Sequence, residues 1–154
     1  MKPLRVLVVC LGNICRSPTA EVVLRDKLRV AKLDRLVDVD SAGTACGHSG
    51  LPPDARSQKH ARARGYELSG LRARAVKAAD FHRFDLMLAM DEDNLADLER
   101  LKPVGAAAAL QLFGAAEVPD PYLGGPGGFE EVLDLVEAAS DTWVEALRQR
   151  VGSA

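Results

Sequence analysis

Cys10-Leu11-Gly12-Asn13-Ile14-Cys15-Arg16-Ser17, followed by Pro18, is the stretch that decides the fold of this chain. A nearly continuous apolar run over residues 4–9 leads into it, the mark of a strand covered on both faces. Beyond it, Ala20, Val23, Leu24, Leu28 and Ala31 recur at helical spacing. The eight residues therefore form a strand-to-helix turn. The amides of such a turn have no partners in the coming helix, so they are free to collect on a tetrahedral oxyanion. Arg16 adds a planar fork that holds two oxygens at once. Cys10 sits at the floor of that cradle, where positive potential favours thiolate over thiol.

Each residue of the turn also has a plainer reading. Cys10 alone would be a small buried hydrophobe, but among Gly12, Asn13, Arg16 and Ser17 it reads as a nucleophile. Gly12 admits close backbone approach, and Asn13 suits a left-handed conformation. Ser17 serves as a helix cap with Pro18 in the first turn, and its hydroxyl also falls near the Cys10 sulfur. Leu11, Ile14 and Cys15 complete the expected phosphate-binding loop.

Strand and helix patterns alternate outward from this turn. A second strand is expected over residues 36–40, a Gly-rich loop over 43–53, and a helix over 54–64 that Gly65 stops. Residues 66–76 have no clear period, and a short helix follows at 77–82. A third buried strand is expected at 84–90, a helix at 91–101 and a fourth strand at 110–113. The connection over 114–128 is dense in Gly and Pro. A closing helix spans 129–151, with Val132, Leu135, Val136, Ala139, Trp143 and Leu147 along one side. The alternation implies an α/β fold: a parallel sheet with helices on both faces. Ligands then bind beyond the carboxyl ends of the strands, where Cys10 falls.

Composition bounds the remaining classes. With 154 residues, one domain spanning 1–154 is expected. A net charge of -2 makes no electrostatic case for nucleic acid or an anionic membrane. No run approaches the ~20 apolar residues of a membrane helix. The apolar stretch at the start is too short, and broken by Arg5, for a signal peptide. Three cysteines cannot all pair within one chain, and a free thiol fits a reducing, cytoplasmic setting. Cys10, Cys15, Cys46, His48, His60 and His82 lack zinc-site spacings, so neither metal nor cofactor is expected. Arg56, Arg62, Arg64, Arg72 and Arg74 read as a solvated helix face rather than a docking surface.

The chain resembles the low-molecular-weight protein tyrosine phosphatases. Besides the Cys10 turn, Ser41-Ala42-Gly43-Thr44, Pro52-Pro53-Asp54, Met90-Asp91-Glu92-Asp93-Asn94-Leu95 and Pro119-Asp120-Pro121-Tyr122 follow in family order. The resemblance implies a single-domain, four-stranded parallel sheet of order 2-1-3-4. It implies hydrolysis of protein phosphotyrosine and small aryl phosphates through a cysteinyl-phosphate, with inorganic phosphate as product. The protein partner by analogy is a bacterial tyrosine kinase.

In that reading Cys10 attacks, Arg16 holds the phosphoryl oxygens, and Asp120 supplies the leaving group's proton and later activates water. Ser41 joins a hydrogen-bond network that holds Asn13, Tyr122 forms an aromatic pocket wall, and Cys15 is either a redox partner of Cys10 or a packed small residue. Gly47 falls where many members have an aromatic residue, and Leu123 replaces a second one after Tyr122. Leu71 or Gly70 stands where a histidine often props the loop asparagine. Three alternatives share the architecture. An arsenate reductase adds a downstream cysteine pair, absent from residues 80–95. A protein-arginine phosphatase carries threonine where Ile14 stands, and a non-catalytic phosphate sensor would lose Cys10 or Asp120.

Overall fold

Strand β1 (Leu4–Cys10) is buried along its last five residues, and its two faces feed two separate cores. Val6, Val8 and Cys10 face one cluster, while Leu7 and Val9 face the other. That is why the sequence shows no alternation here: both sides are dry. The computed structural model describes residues 2–45 and 47–152.

From Cys10 the chain turns into α1 (Arg16–Val30), crosses to β2 (Val37–Gly43) and enters α2 (Ala55–Ala63). The short α3 (Asp80–Arg83) precedes β3 (Leu86–Ala89), then come α4 (Glu92–Leu101), β4 (Ala109–Leu112) and α5 (Pro126–Gly152). All strand pairs are parallel, and the order is β2-β1-β3-β4, as the resemblance implies. Cys10 pairs with Gly43 and Val9 with Ala89. The chain thus departs to one side of β1 and returns on the other, which opens a crevice at the end of β1.

α1 and α5 cover the first face with Val23, Leu24, Leu28, Val132, Val136 and Leu147. Burial of each such side chain stabilises the fold by about 1.5–3 kcal/mol. α3 and α4 cover the second face through Phe81, Leu95 and Leu98, with Phe84 just after α3 packed beside them. α2 lies outside, packing Ala61 against Val22 and Leu133. Arg64 fastens it to α5 through Glu130, Asp134 and Glu137.

Local chemistry sets the boundaries. Asp54 caps α2, accepting from the Arg56 amide at 2.8 Å, and Gly65 at φ +89 stops that helix. Asp91 caps α4 through the Asn94 amide at 2.7 Å. β2 runs three residues beyond the expected 36–40, because Ser41, Ala42 and Gly43 continue the ladder with Val8, Val9 and Cys10. The stretch over 66–76 is irregular; a bridge between Gly43 and Ala75 joins it to the end of β2, and Ala73 exchanges backbone hydrogen bonds with Gly50 and Leu51. In place of the expected 77–82 helix only the single turn α3 forms, shifted to Asp80–Arg83, with the Lys77 amide donating to the Asp80 carboxylate. α5 starts three residues earlier than expected, at Pro126, a residue suited to a first turn.

Candidate active site

The turn after β1 wraps around the sulfur of Cys10, which is 2% exposed. The Asn13 amide donates to Sγ at 3.3 Å, and the Ser17 hydroxyl lies 3.0 Å from it. Asn13 takes φ 57, the left-handed conformation expected of it. Its side chain is fully used: Nδ2 donates to Ser17 Oγ at 2.8 Å and to Ser41 Oγ at 3.0 Å, while Oδ1 accepts from the Arg74 amide at 3.0 Å. Because Ser17 Oγ accepts from Asn13, its own proton is left for the sulfur or the Ala42 carbonyl.

Ser17 is not the helix cap. Cys15 occupies that position without a side-chain bond, and Ser17 lies inside α1 with its hydroxyl turned to Cys10 and Asn13. The Ser41 expectation holds and extends one step further, since Ser41 donates to the Glu21 carboxylate at 2.5 Å. Burial pushes the Glu21 carboxyl up, against the opposing pull of Ser41 and Arg25. Of the two residues that stand near the place of a histidine prop, Leu71 packs with Val22, Ala61 and Leu68, and Gly70 has no side chain to offer Asn13. The Arg74 amide and the Ser41–Glu21 pair hold Asn13 from the protein side.

Arg16 is 2% exposed and fixed from two directions. Its Nη1 donates to the Asp91 carboxylate at 2.6 Å and to the Val118 carbonyl at 3.0 Å, and its Nη2 faces Asp120 at 3.5 Å. Asp91 is a site residue that the sequence showed only as part of a motif. Its two oxygens divide the labour, one capping α4 and one holding Arg16. Asp120 stands on the facing loop, with 43% of its side chain exposed. An Asx-type bond from the Tyr122 amide, 3.1 Å to its Oδ1, sets its direction.

These groups enclose a cavity of about 160 Å³ lined by Cys10, Leu11, Gly12, Ile14, Cys15, Arg16, His48, Asp120 and Tyr122, with Ala45 and Gly47 at its edge. A larger groove of about 840 Å³ lies at the opposite end of the strands against Leu4, Leu36 and Asp85, and contains none of these residues. Tyr122 forms the expected wall. The open side expected at Gly47 is closed by the next residue: the His48 ring lies 6.0 Å from the Tyr122 ring. A Cβ on Gly12 would meet His48 at 2.8 Å, so the glycine is what lets that ring settle over the loop. Gly43 has the same role beneath, where a Cβ would stand 2.6 Å from the Leu11 carbonyl. Leu123, 94% exposed, adds no second aromatic face.

Cys15 is buried beside the cavity, and burial pushes its thiol up to about 12, with Ser57 as hydrogen-bond partner. Cys46 lies outside the described residues. Among the described residues no cluster of His, Cys, Asp and Glu has the makings of a metal site.

The profile of the low molecular weight phosphotyrosine protein phosphatases matches residues 5–153. The chain belongs to this family. It is 43% identical to the low molecular weight protein-tyrosine-phosphatase of Streptomyces coelicolor over 157 aligned positions, covering 96% of this chain and 95% of that one. Its fold is similar to the crystal structure of a protein tyrosine phosphatase from Entamoeba histolytica, with TM-score 0.89, 35% identity, and 98% and 99% of the two chains covered. It is also similar to that of DARP, a drosophila arginine phosphatase, with TM-score 0.88, 31% identity, and 94% and 98% covered. No helix among the described residues of this phosphatase is long and apolar enough to cross a membrane.

Proposed function

We propose that this chain is a metal-independent protein-tyrosine phosphatase working through a cysteinyl-phosphate. The observation that carries the proposal is the setting of Cys10: its sulfur accepts from Asn13 N and faces Ser17 Oγ, at the floor of a cavity that also holds Arg16 and Asp120. The two hydrogen-bonding groups stabilise a thiolate both as nucleophile and as leaving group. Sγ attacks phosphorus in line, the bond to the aryl oxygen breaks, and Asp120 gives its proton to the departing phenolate. Arg16, its Nη1 held by Asp91, and the loop amides stabilise the equatorial oxygens. Asp120, now a carboxylate, then takes a proton from water. The water oxygen attacks phosphorus, the S–P bond breaks, and inorganic phosphate leaves with the site restored.

The walls favour an aryl ester. Leu11, Ile14, Tyr122 and His48 offer apolar and aromatic surface. Ile14 packs on Phe129 and Ala73 and brings no polar group to meet a guanidinium. The substrate is accordingly a phosphotyrosine protein; a free-thiol nucleophile suits the cytoplasm, and a bacterial tyrosine kinase is the partner that the analogy favours.

Turnover of p-nitrophenyl phosphate with a chelator present tests the reading. Wild type is expected to turn over, Cys10→Ser to be inert, and Asp120→Ala to lose about 10²-fold or more. A wild type that binds phosphate without turnover would sink the proposal in favour of a phosphate sensor. Faster release of phosphate from phosphoarginine than from phosphotyrosine would place it with the arginine phosphatases.

A further inference from the structure

Asp54 and Arg56 join the two loops whose separation the chemistry must hold fixed. The Asp54 amide donates to the Ile14 carbonyl of the Cys10 loop at 2.8 Å. Its carboxylate accepts from Arg56 Nε at 3.1 Å and Nη2 at 2.9 Å. Burial pushes the Asp54 carboxyl up, but its hydrogen bonds, those with Arg56 foremost, outweigh it and leave it below its ordinary value. From that anchor Arg56 Nη2 reaches across to the Tyr122 carbonyl at 2.9 Å. The guanidinium carbon stands 5.5 Å from the Tyr122 ring centroid and 4.8 Å from that of Phe129. Phe129 belongs to the first turns of α5 and packs against Ile14 and Cys15.

Tyr122 is therefore gripped on both sides of its backbone. Its N–H donates to the Asp120 carboxylate, and its carbonyl accepts from Arg56. Arg56 does not line the cavity that holds Cys10, Arg16 and Asp120. The acid loop over residues 119–125 carries two prolines and two glycines, and its tip is exposed. The bond to Arg56 links this loop to the base of the Cys10 turn.

We propose that Arg56 is a positioning residue: it ties the Tyr122 backbone to Asp54 and the Ile14 carbonyl, and so sets Asp120 toward the leaving oxygen. The proposal rests on the reading of Asp120 as the acid. Only arginine supplies both the fork for Asp54 and a flat face for two rings. Lysine keeps the charge and loses the geometry.

The test is kcat/KM for a series of aryl phosphates whose phenols range from p-nitrophenol to phenol, with wild type, Arg56→Lys, Arg56→Met and Asp120→Ala. A misplaced acid matters most where the leaving oxygen needs its proton most. Arg56→Met is expected to lose about threefold on p-nitrophenyl phosphate and tenfold or more on phenyl phosphate. Arg56→Lys should behave like Arg56→Met, while competitive inhibition by inorganic phosphate stays within about twofold of wild type for both. In the Asp120→Ala background the same change should add no more than about twofold. A uniform loss along the series, a parallel loss of phosphate inhibition, or full additivity with Asp120→Ala overturns the proposal. If Asp120→Ala itself leaves the series unchanged, the acid assignment falls and this proposal with it. A steep Asp120→Ala series beside a uniform Arg56→Met loss overturns the role of Arg56 alone.

Discussion

The His48 ring stands against the Tyr122 ring at 6.0 Å and 53°, making a two-sided aromatic wall over the Cys10 loop. The two residues come from the loops after β2 and β4, so the wall assembles only when both loops are in place. Aromatic contacts of this kind contribute about 0.5–1.5 kcal/mol beyond area burial. His48→Ala is therefore expected to raise KM for aryl phosphates by about two- to tenfold, with inhibition by inorganic phosphate unchanged. Steady-state kinetics against p-nitrophenyl phosphate checks it. Equal weakening of substrate and phosphate would show that His48 acts on the anion rather than the ring.

Asp91 is the second residue whose weight only the structure shows. It holds a guanidinium that is itself 2% exposed, and removing one partner of a buried pair leaves a charge uncompensated. Asp91→Asn keeps the α4 cap and the side-chain volume but loses the ionic hold on Arg16. The expected result is a fall in kcat/KM of about 10²-fold, together with weaker inhibition by phosphate. A variant with wild-type phosphate affinity would mean that the Val118 carbonyl alone suffices to place Arg16.

Glu21 gives the fold a pH dependence with a definite sign. Burial raises its carboxyl from the ordinary 4.5 in the folded state. The folded chain then holds that proton more readily than the unfolded chain does. The stabilisation is complete below about pH 4.5 and is lost as pH rises through the folded value. Glu21→Gln removes this term while still offering Ser41 an acceptor. Urea unfolding at a series of pH values should show the stability difference moving in favour of the variant as pH rises above 4.5, then levelling. A difference that is flat, or that moves toward wild type, contradicts the assignment.

The strands and the Cys10 loop were legible in the sequence because each rests on local signals, whereas the sheet order was implied by the family resemblance. Strand β1 needed only a run of apolar residues, and Asn13 only its tolerance of positive φ. The misread arginines have partners far along the chain. Arg56 read as a solvated helix residue, because its partners Tyr122 and Phe129 lie over sixty positions away. Arg64 and Arg74 read the same way, yet they bind Glu130, Asp134 and Glu137, and Asp40 and Asp80. His48 escaped notice because the loop after β2 has no period to anchor an alignment, so Gly47 stood in its place. Ser17 had the composition of a cap, but the hydrogen-bond demand of Asn13 and Cys10 outweighed that local preference.

Cys15 lies one residue before Arg16 at the start of α1, buried against the same cavity as Cys10. With its thiol pushed up to about 12, it stays protonated at ordinary pH. Alkylation by iodoacetamide near neutral pH is therefore expected to spare Cys15, as read by peptide mass mapping. Peroxide changes the outcome. If Cys15 is the redox partner of Cys10, the Cys10 thiolate gives up two electrons to peroxide and becomes a sulfenic acid, and the Cys15 thiol condenses with it, releasing water and forming a disulfide. Activity lost to excess peroxide should return with dithiothreitol in wild type. In Cys15→Ala, where the sulfenic acid has no neighbouring thiol, excess peroxide should carry Cys10 to irreversible acids and activity should not return. Full recovery of Cys15→Ala after the same treatment would remove Cys15 from any protective role.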